Sequence, residues 1–275
     1  FHAEDGIRDV ERSRGLGDVY KRQILGCSTG HGAATAKQLA TEGYGIIGFH
    51  LDRGSIKKDA LKLEHQIASL NDNRVKFWNE NAADKKIMSA KMDEIKSILN
   101  NGTVKLLLHS IAFGSTTNFF NPTPVRQRQM DMTQHVMAHC LIYWTQALLD
   151  NSLLTAGSRI IGLTSEGSYK AIDGYGPVGV AKASLEAVVR QIGWELGSEG
   201  ITANTIQAGI TPTRALTKIS DDWEKWVEKT KERNPMKRVT TPKDVAGLIS
   251  LLLNDKANFI NCSTIFCDGG EHRSL

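Results

Sequence analysis

From Ile24 onward, short apolar runs alternate with longer stretches whose apolar residues recur at helical spacing. The runs predict strands at 24–25, 45–51, 74–79, 103–109, 157–164, 201–206 and 262–267. They are β-branched or leucine-rich and almost continuously apolar, as strands are when helices cover both faces of their sheet. Between them the spacing predicts helices at 31–42, 55–70, 84–99, 125–150 and 176–198; in the second, Ile56, Leu61, Leu63, Ile67 and Leu70 mark the apolar positions. Strand–helix alternation of this kind implies an α/β fold: a Rossmann-type, doubly wound, parallel seven-stranded sheet in a single domain. No linker or low-complexity tract marks a second domain.

Composition narrows the class. With 40% hydrophobic residues, the 275-residue chain can bury a large core. The formal charge of +4 is spread along the sequence, without a basic cluster interleaved with aromatics, so nucleic acid is not the expected partner. No apolar run reaches membrane-spanning length. Cys27, Cys140, Cys262 and Cys267 form neither CxxC nor a Cys/His metal pattern. Free thiols in a reducing cytoplasm and no metal site are the expectation.

The first 23 residues lack both the apolar periodicity of a domain and the hydrophobic centre of a signal peptide. Ala3–Asp9 and Ser13–Gln23 resemble translated sequencing-adapter DNA, with 10–12 as a barcode between them. On that reading residues 1–23 are non-native and do not pack on the domain, which occupies 24–275 with a truncated first strand.

Candidate chemistry begins at Gly26, Gly30 and Gly32, which follow the first strand and open a helix. Glycines there permit a tight turn and close approach of a pyrophosphate to the helix N-terminus. Ser110 and Ile111 lie in the segment His109-Ser-Ile-Ala-Phe113 that ends the fourth strand. Ser165, Tyr175 and Lys182 form the third cluster. Tyr175 and Lys182 stand seven residues apart, about two helical turns, so they share a helix face and the ammonium is expected to lower the phenol's pKa. Trp223 and Trp226 fall in the stretch 214–233, readable as a surface helix with a buried seam or as a lid.

The G-x3-G-x-G turn resembles that of the short-chain dehydrogenase/reductase superfamily. The His-Ser-Ile-Ala-Phe segment and the Tyr-x6-Lys register resemble its divergent enoyl-acyl-carrier-protein reductases. Ser165 and Lys182 keep the superfamily's usual separation, Val178 occupies the usual tyrosine place, and the phenol has moved one turn toward the N-terminus. Many enoyl reductases carry a second tyrosine where this chain has Ser165; the departure resembles an NADPH-dependent branch and leaves Tyr169 as a candidate substitute. The closing Asp268-Gly269-Gly270 extends the resemblance over 24–275.

The resemblance implies an enoyl reductase of fatty-acid biosynthesis, with Tyr175, Lys182 and Ser165 catalytic. Gly26, Gly30, Gly32, Asn81, Ala82, Ser110, Ile111, Lys182, Ile210 and Thr213 would bind the cofactor. The backbone of Ile210 would hold the nicotinamide carboxamide. An acid after the second strand would favour NADH and an arginine NADPH; Asp52 and Arg53 stand together there, and NADPH through Arg53 is the expectation. Acyl carrier protein or an enoyl-CoA thioester would be the partner, and the enzyme a cytoplasmic homo-oligomer, a homotetramer by family. His109 and His139 are expected to be structural. A carbonyl or hydroxysteroid-type reductase, and a catalytically silent nucleotide-binding protein, are the alternatives.

Overall fold

The computed structural model describes residues 20–70 and 74–274. Seven parallel strands form one sheet in the order β3-β2-β1-β4-β5-β6-β7. They are β1 (Tyr20–Leu25), β2 (Gly45–His50), β3 (Val75–Asn79), β4 (Thr103–His109), β5 (Arg159–Thr164), β6 (Thr202–Ala208) and β7 (Thr264–Cys267). The order reverses between β1 and β4, and the clefts at the carboxyl ends of the strands open there.

Alternation along each strand sends neighbours to opposite cores. Leu25, Ile47, Trp78, Leu107 and Ile160 enter one hydrophobic cluster, while Ile24, Ile46, Phe77, Leu106 and Ile161 enter the other. The first is closed by α3 (Lys85–Leu99), α5 (Cys140–Asp150) and α6 (Gly176–Leu196); α4 (Gln127–Gln134) precedes α5. The second is closed by α1 (Gly30–Thr41), α2 (Ser55–Leu70) and, further along the chain, α8 (Pro242–Leu252); α7 (Trp223–Arg233) precedes α8. Both faces of the sheet are therefore dry, which accounts for the unbroken apolar runs.

Two differences from the sequence expectations have physical causes. The helix expected over 125–150 is interrupted by a π turn, His135–His139. Its Val136 carbonyl accepts from His109 Nε2 at 3.1 Å and from Cys140 Sγ at 3.2 Å, which ties the π turn to the end of β4. Helix α8 has no counterpart among the expected elements, although Thr241-Pro242-Lys-Asp244 forms a capping box with proline in the first turn.

The boundary set at residue 23 is not a boundary of the sheet. β1 begins at Tyr20, and Lys21–Gln23 pair with Gly45–Ile47 on one side. On the other side Tyr20 and Lys21 pair with Thr103 and Val104, and Arg22 and Gln23 with Leu106 and Leu107. Strand pairing uses backbone groups, which any non-proline residue supplies. The side chains fit less well. Gln23 is fully buried beside Ile47 and Leu107, and neither atom of its amide has a hydrogen-bond partner. Arg22 is also buried and lies 3.8 Å over the Tyr44 ring. The rest of the adapter-like segment, 1–19, lies outside the described residues.

Candidate functional site

A trough runs across the carboxyl ends of the strands. One part, with a volume of about 300 Å³, extends from Asp52, Asn81 and Ala82 past Gly26 and Gly30 to Ser110, Ile111 and Thr213. The other, about 190 Å³, holds Ser165, Tyr175, Lys182 and Ile210. His31, Ser110, Ile111, Ala112, Thr213 and Ala215 line both, so the two are ends of one cleft.

At its centre the glycine turn is closed by sterics. A Cβ on Gly32 would stand 1.9 Å from the Gly26 carbonyl oxygen, and one on Gly26 would stand 2.6 Å from the Ser110 oxygen. Gly26 also has φ +89°, which side chains rarely adopt. The turn delivers the chain into α1, whose first turn contains no acid and whose N-cap, Thr29, makes no side-chain cap bond. The opening amides of a twelve-residue helix thus face the cleft without a negative competitor. This fits the pyrophosphate of a dinucleotide.

Where the adenosine ribose of such a ligand would lie, Asp52 is fixed by its surroundings. Its amide donates to Asn79 Oδ1 at 2.7 Å, Asn79 Nδ2 donates to its carbonyl at 3.0 Å, and its carboxylate lies 2.8 Å from His50 Nδ1. Asp52 lines the cleft, whereas Arg53 is exposed and does not. Asp52 is thus the residue of the pair that the fold places in the cleft wall, with Arg53 exposed beside it. Asn81 is held for its position by its own turn, accepting from Ala83 N at 3.0 Å.

At the other end, Lys182 is buried on α6 and its Nζ donates to the Leu163 carbonyl at 2.6 Å. Burial holds its pKa down at about 8, with the Glu186 charge opposing. Ser165 Oγ and Tyr175 OH are 3.2 Å apart. Gly167 packs so closely on the phenol that a Cβ there would meet Tyr175 Cε1 at 2.4 Å, which fixes the ring's place. The expected depression of the phenol by Lys182 is absent. Burial pushes the Tyr175 pKa up, the Ser165 hydroxyl opposes, and the Glu166 charge adds to the rise. Tyr175 is thus a protonated donor.

The remaining assignments divide cleanly. Val178, in the usual tyrosine place, is buried against Met137, Tyr175 and Ala181. Tyr169 is 56% exposed and accepts from Gln207 Nε2 at 3.1 Å; it lines a neighbouring cavity that shares Gly167, Ile172 and Tyr175 with the trough. Leu216, Ile219 and Trp226 line the end of the cleft that holds Ser165, Tyr175 and Lys182, with Trp223 in the same apolar cluster; the 214–233 stretch, with α7 in its second half, both packs and roofs that end.

Sequence reasoning missed three groups. His31 lines both ends, its Nδ1 is buried without a partner, and burial reinforced by the Lys182 charge holds its pKa at about 4. Its place between Gly30 and Gly32 was the available signal. Arg214 and Lys218, four positions apart, line the same part of the cleft as Gly26 and Gly30. Glu271 is 2% exposed, and both carboxylate oxygens receive the Ile210 N–H, at 3.2 and 3.1 Å. Nothing in the sequence joins residues 210 and 271.

A doubly wound parallel sheet with a glycine cradle at its switch point and Ser165, Tyr175 and Lys182 beyond β5 defines an oxidoreductase of the short-chain dehydrogenase/reductase type. Residues 26–272 match a family model described as enoyl-(acyl carrier protein) reductase. The chain belongs to that family. It is 31% identical over 238 residues to the NADH-named enoyl-[acyl-carrier-protein] reductase FabI of Enterococcus faecalis, covering 86% of this chain and 90% of that protein. It is 35% identical over 119 residues to the Escherichia coli K12 FabI, covering 43% of this chain and 45% of that one. The solved enoyl reductase of Aquifex aeolicus VF5 superposes with a TM-score of 0.77 at 22% identity, covering 93% of this chain and 98% of that one, which shows the shared fold.

Proposed function

We propose that this chain reduces the trans-2 double bond of an enoyl thioester carried by acyl carrier protein, using NADH. The observation that carries the chemistry is the buried, protonated Tyr175 beside Ser165, at the cleft end that Lys182 also lines. Gly26, Gly30, Gly32, Ser110, Ile111 and Thr213 would hold the dinucleotide, Asn81 and Ala82 its adenine, and Lys182 its ribose. The Asp52 carboxylate in the cleft supports NADH over NADPH, and the relatives described above carry NADH in their names. When bound, the cofactor supplies the hydride. The thioester oxygen then gains charge, and Tyr175 OH is the donor aimed at it, with Ser165 fixing the hydroxyl and Lys182 supplying positive charge. Removing an aimed donor of this kind costs about 3–4 kcal/mol, roughly 10²–10³ in rate.

The apolar lining from Ile172, Leu216, Ile219 and Trp226 suits an acyl chain. Exposed Trp194 on α6, Leu251 on α8 and Phe259 support a homo-oligomer, which light scattering would measure, and the cytoplasm is the proposed location. Among the described residues no helix is long and apolar enough to cross a membrane.

The test is turnover of a crotonyl thioester with NADH and with NADPH, beside a ketone substrate. Enoyl turnover preferring NADH, falling about 10²–10³-fold in Tyr175→Phe, is expected. Full activity in Tyr175→Phe would remove the donor assignment, and ketone turnover alone would return the reading to a carbonyl reductase.

A further inference from the structure

Glu271 occupies an unusual place for a carboxylate. It follows Asp268-Gly269-Gly270, where φ values of +64° and +90° at the two glycines turn the chain back under the 209–213 loop. The turn is rigid. Asp268 accepts from Gly270 N at 2.9 Å, His272 N at 2.9 Å and His272 Nδ1 at 2.6 Å, and its own carbonyl accepts from Asn234 Nδ2 at 2.8 Å. The turn delivers the Glu271 side chain against Gly209, where an added Cβ would meet its Oε2 at 2.5 Å, and on to the Ile210 amide. On its other side Arg233 Nη2, from the last residue of α7, lies 3.6 Å from Oε1. One buried carboxylate therefore touches both the loop that borders the catalytic end and the helix that roofs it.

An amide has a single hydrogen to donate. The reading above gives the Ile210 backbone to the nicotinamide carboxamide, and in this structure Glu271 already holds that N–H. A carboxylate is the stronger acceptor of the two, since charge-assisted bonds are about twice as strong as neutral ones. We propose that Glu271 is a latch: it competes with the carboxamide for the Ile210 N–H, and binding of the nicotinamide hands its carboxylate over to Arg233 at the end of α7. The handover keeps the carboxylate paired, because an unpartnered buried charge is costly. It also couples cofactor binding to the roof, because the freed charge pulls on α7. Glu271 is a positioning residue in this scheme and touches no reacting atom.

The proposal rests on the dinucleotide reading, so its test separates the two. NADH and ADP-ribose, which lacks the nicotinamide, are titrated calorimetrically into wild type, Glu271→Gln and Arg233→Leu. Glu271→Gln, a weaker acceptor, should bind NADH about 5–10-fold more tightly, with ADP-ribose unchanged. Arg233→Leu, which leaves the freed carboxylate without a partner, should weaken NADH by a similar factor and again spare ADP-ribose. Unchanged NADH affinity in both variants, or equal losses for both ligands, overturns the latch and leaves the cofactor reading standing. Failure of wild type to bind either ligand overturns the cofactor reading and the latch with it.

Discussion

At the end of the trough proposed for phosphate, Gly26, Gly30 and Gly32 shape the chain through the side chains they lack; at the end proposed for catalysis, burial sets the ionisation of Lys182, His31 and Tyr175. The first end is a backbone object. Its shape comes from a 1.9 Å conflict that any Cβ on Gly32 would create and from amides at the start of α1. The second is an electrostatic object. Lys182 sits near pKa 8 and His31 near 4, both mainly because they are buried, while the same burial raises the Tyr175 phenol. Sterics tolerate no graded change, whereas ionisation can be tuned continuously by pH and by neighbours.

Gly32→Ala should break the comparison at its stiffest point. The methyl cannot fit beside the Gly26 carbonyl, so the turn must open and the α1 amides must lose their aim. NADH and ADP-ribose binding should both fall by about two orders of magnitude or more, because the loss concerns phosphate positioning that both ligands share. Calorimetry on the two ligands, with circular dichroism to verify folding, checks this. A folded Gly32→Ala protein binding within a few-fold of wild type would mean the cradle is not steric.

This contrast also explains what was legible in the sequence. The glycine triplet, the strand alternation and the Ser165/Tyr175/Lys182 spacing are local patterns, and each survives into the structure as a neighbourhood. Glu271 on Ile210 spans 61 positions, and His109 on Val136 spans 27. Both depend on tertiary packing that no local period encodes. The choice between Asp52 and Arg53 is of the same kind. Residue type and position after β2 admit either reader, and it is Asn79 that fixes the chain so that Asp52 lines the cleft while Arg53 is exposed. The Tyr175 pKa failed because a shared helix face does not bring Lys182 to the phenol: its Nζ is turned to the Leu163 carbonyl.

The electrostatic end should announce itself in pH. A kcat/KM profile reports ionisations of the free enzyme. If the cationic form of Lys182 is required, kcat/KM should fall as pH rises through about 8, approaching tenfold per unit well above it. Lys182→Arg, which stays charged throughout, should flatten that limb even if its absolute rate is lower. For stability the sign follows from the depressed value. The unfolded lysine holds its proton up to about 10.5, so between about 8 and 10.5 the unfolded state binds more protons and stability rises with pH. Activity and stability should therefore move in opposite directions over that window, which steady-state rates and urea midpoints on the same samples would measure.

The smallest expected effect tests whether the phosphate end is indifferent to the side chains beneath it. β1 carries Gly26 at its end, yet its own middle buries Gln23, whose amide nitrogen and oxygen both lack partners. The register with β2 and β4 is kept because pairing is made by the backbone. An unsatisfied buried polar group costs about 1–3 kcal/mol, so Gln23→Val should raise stability by up to that amount and the melting temperature by several degrees. Affinity for NADH should not change, because the α1 amides and the glycine turn are untouched. A gain in stability with constant affinity would fit both a backbone-built cradle and a strand whose opening residues are foreign to this core. A loss of stability would show that Gln23 is well accommodated and would weaken the reading of that segment as non-native.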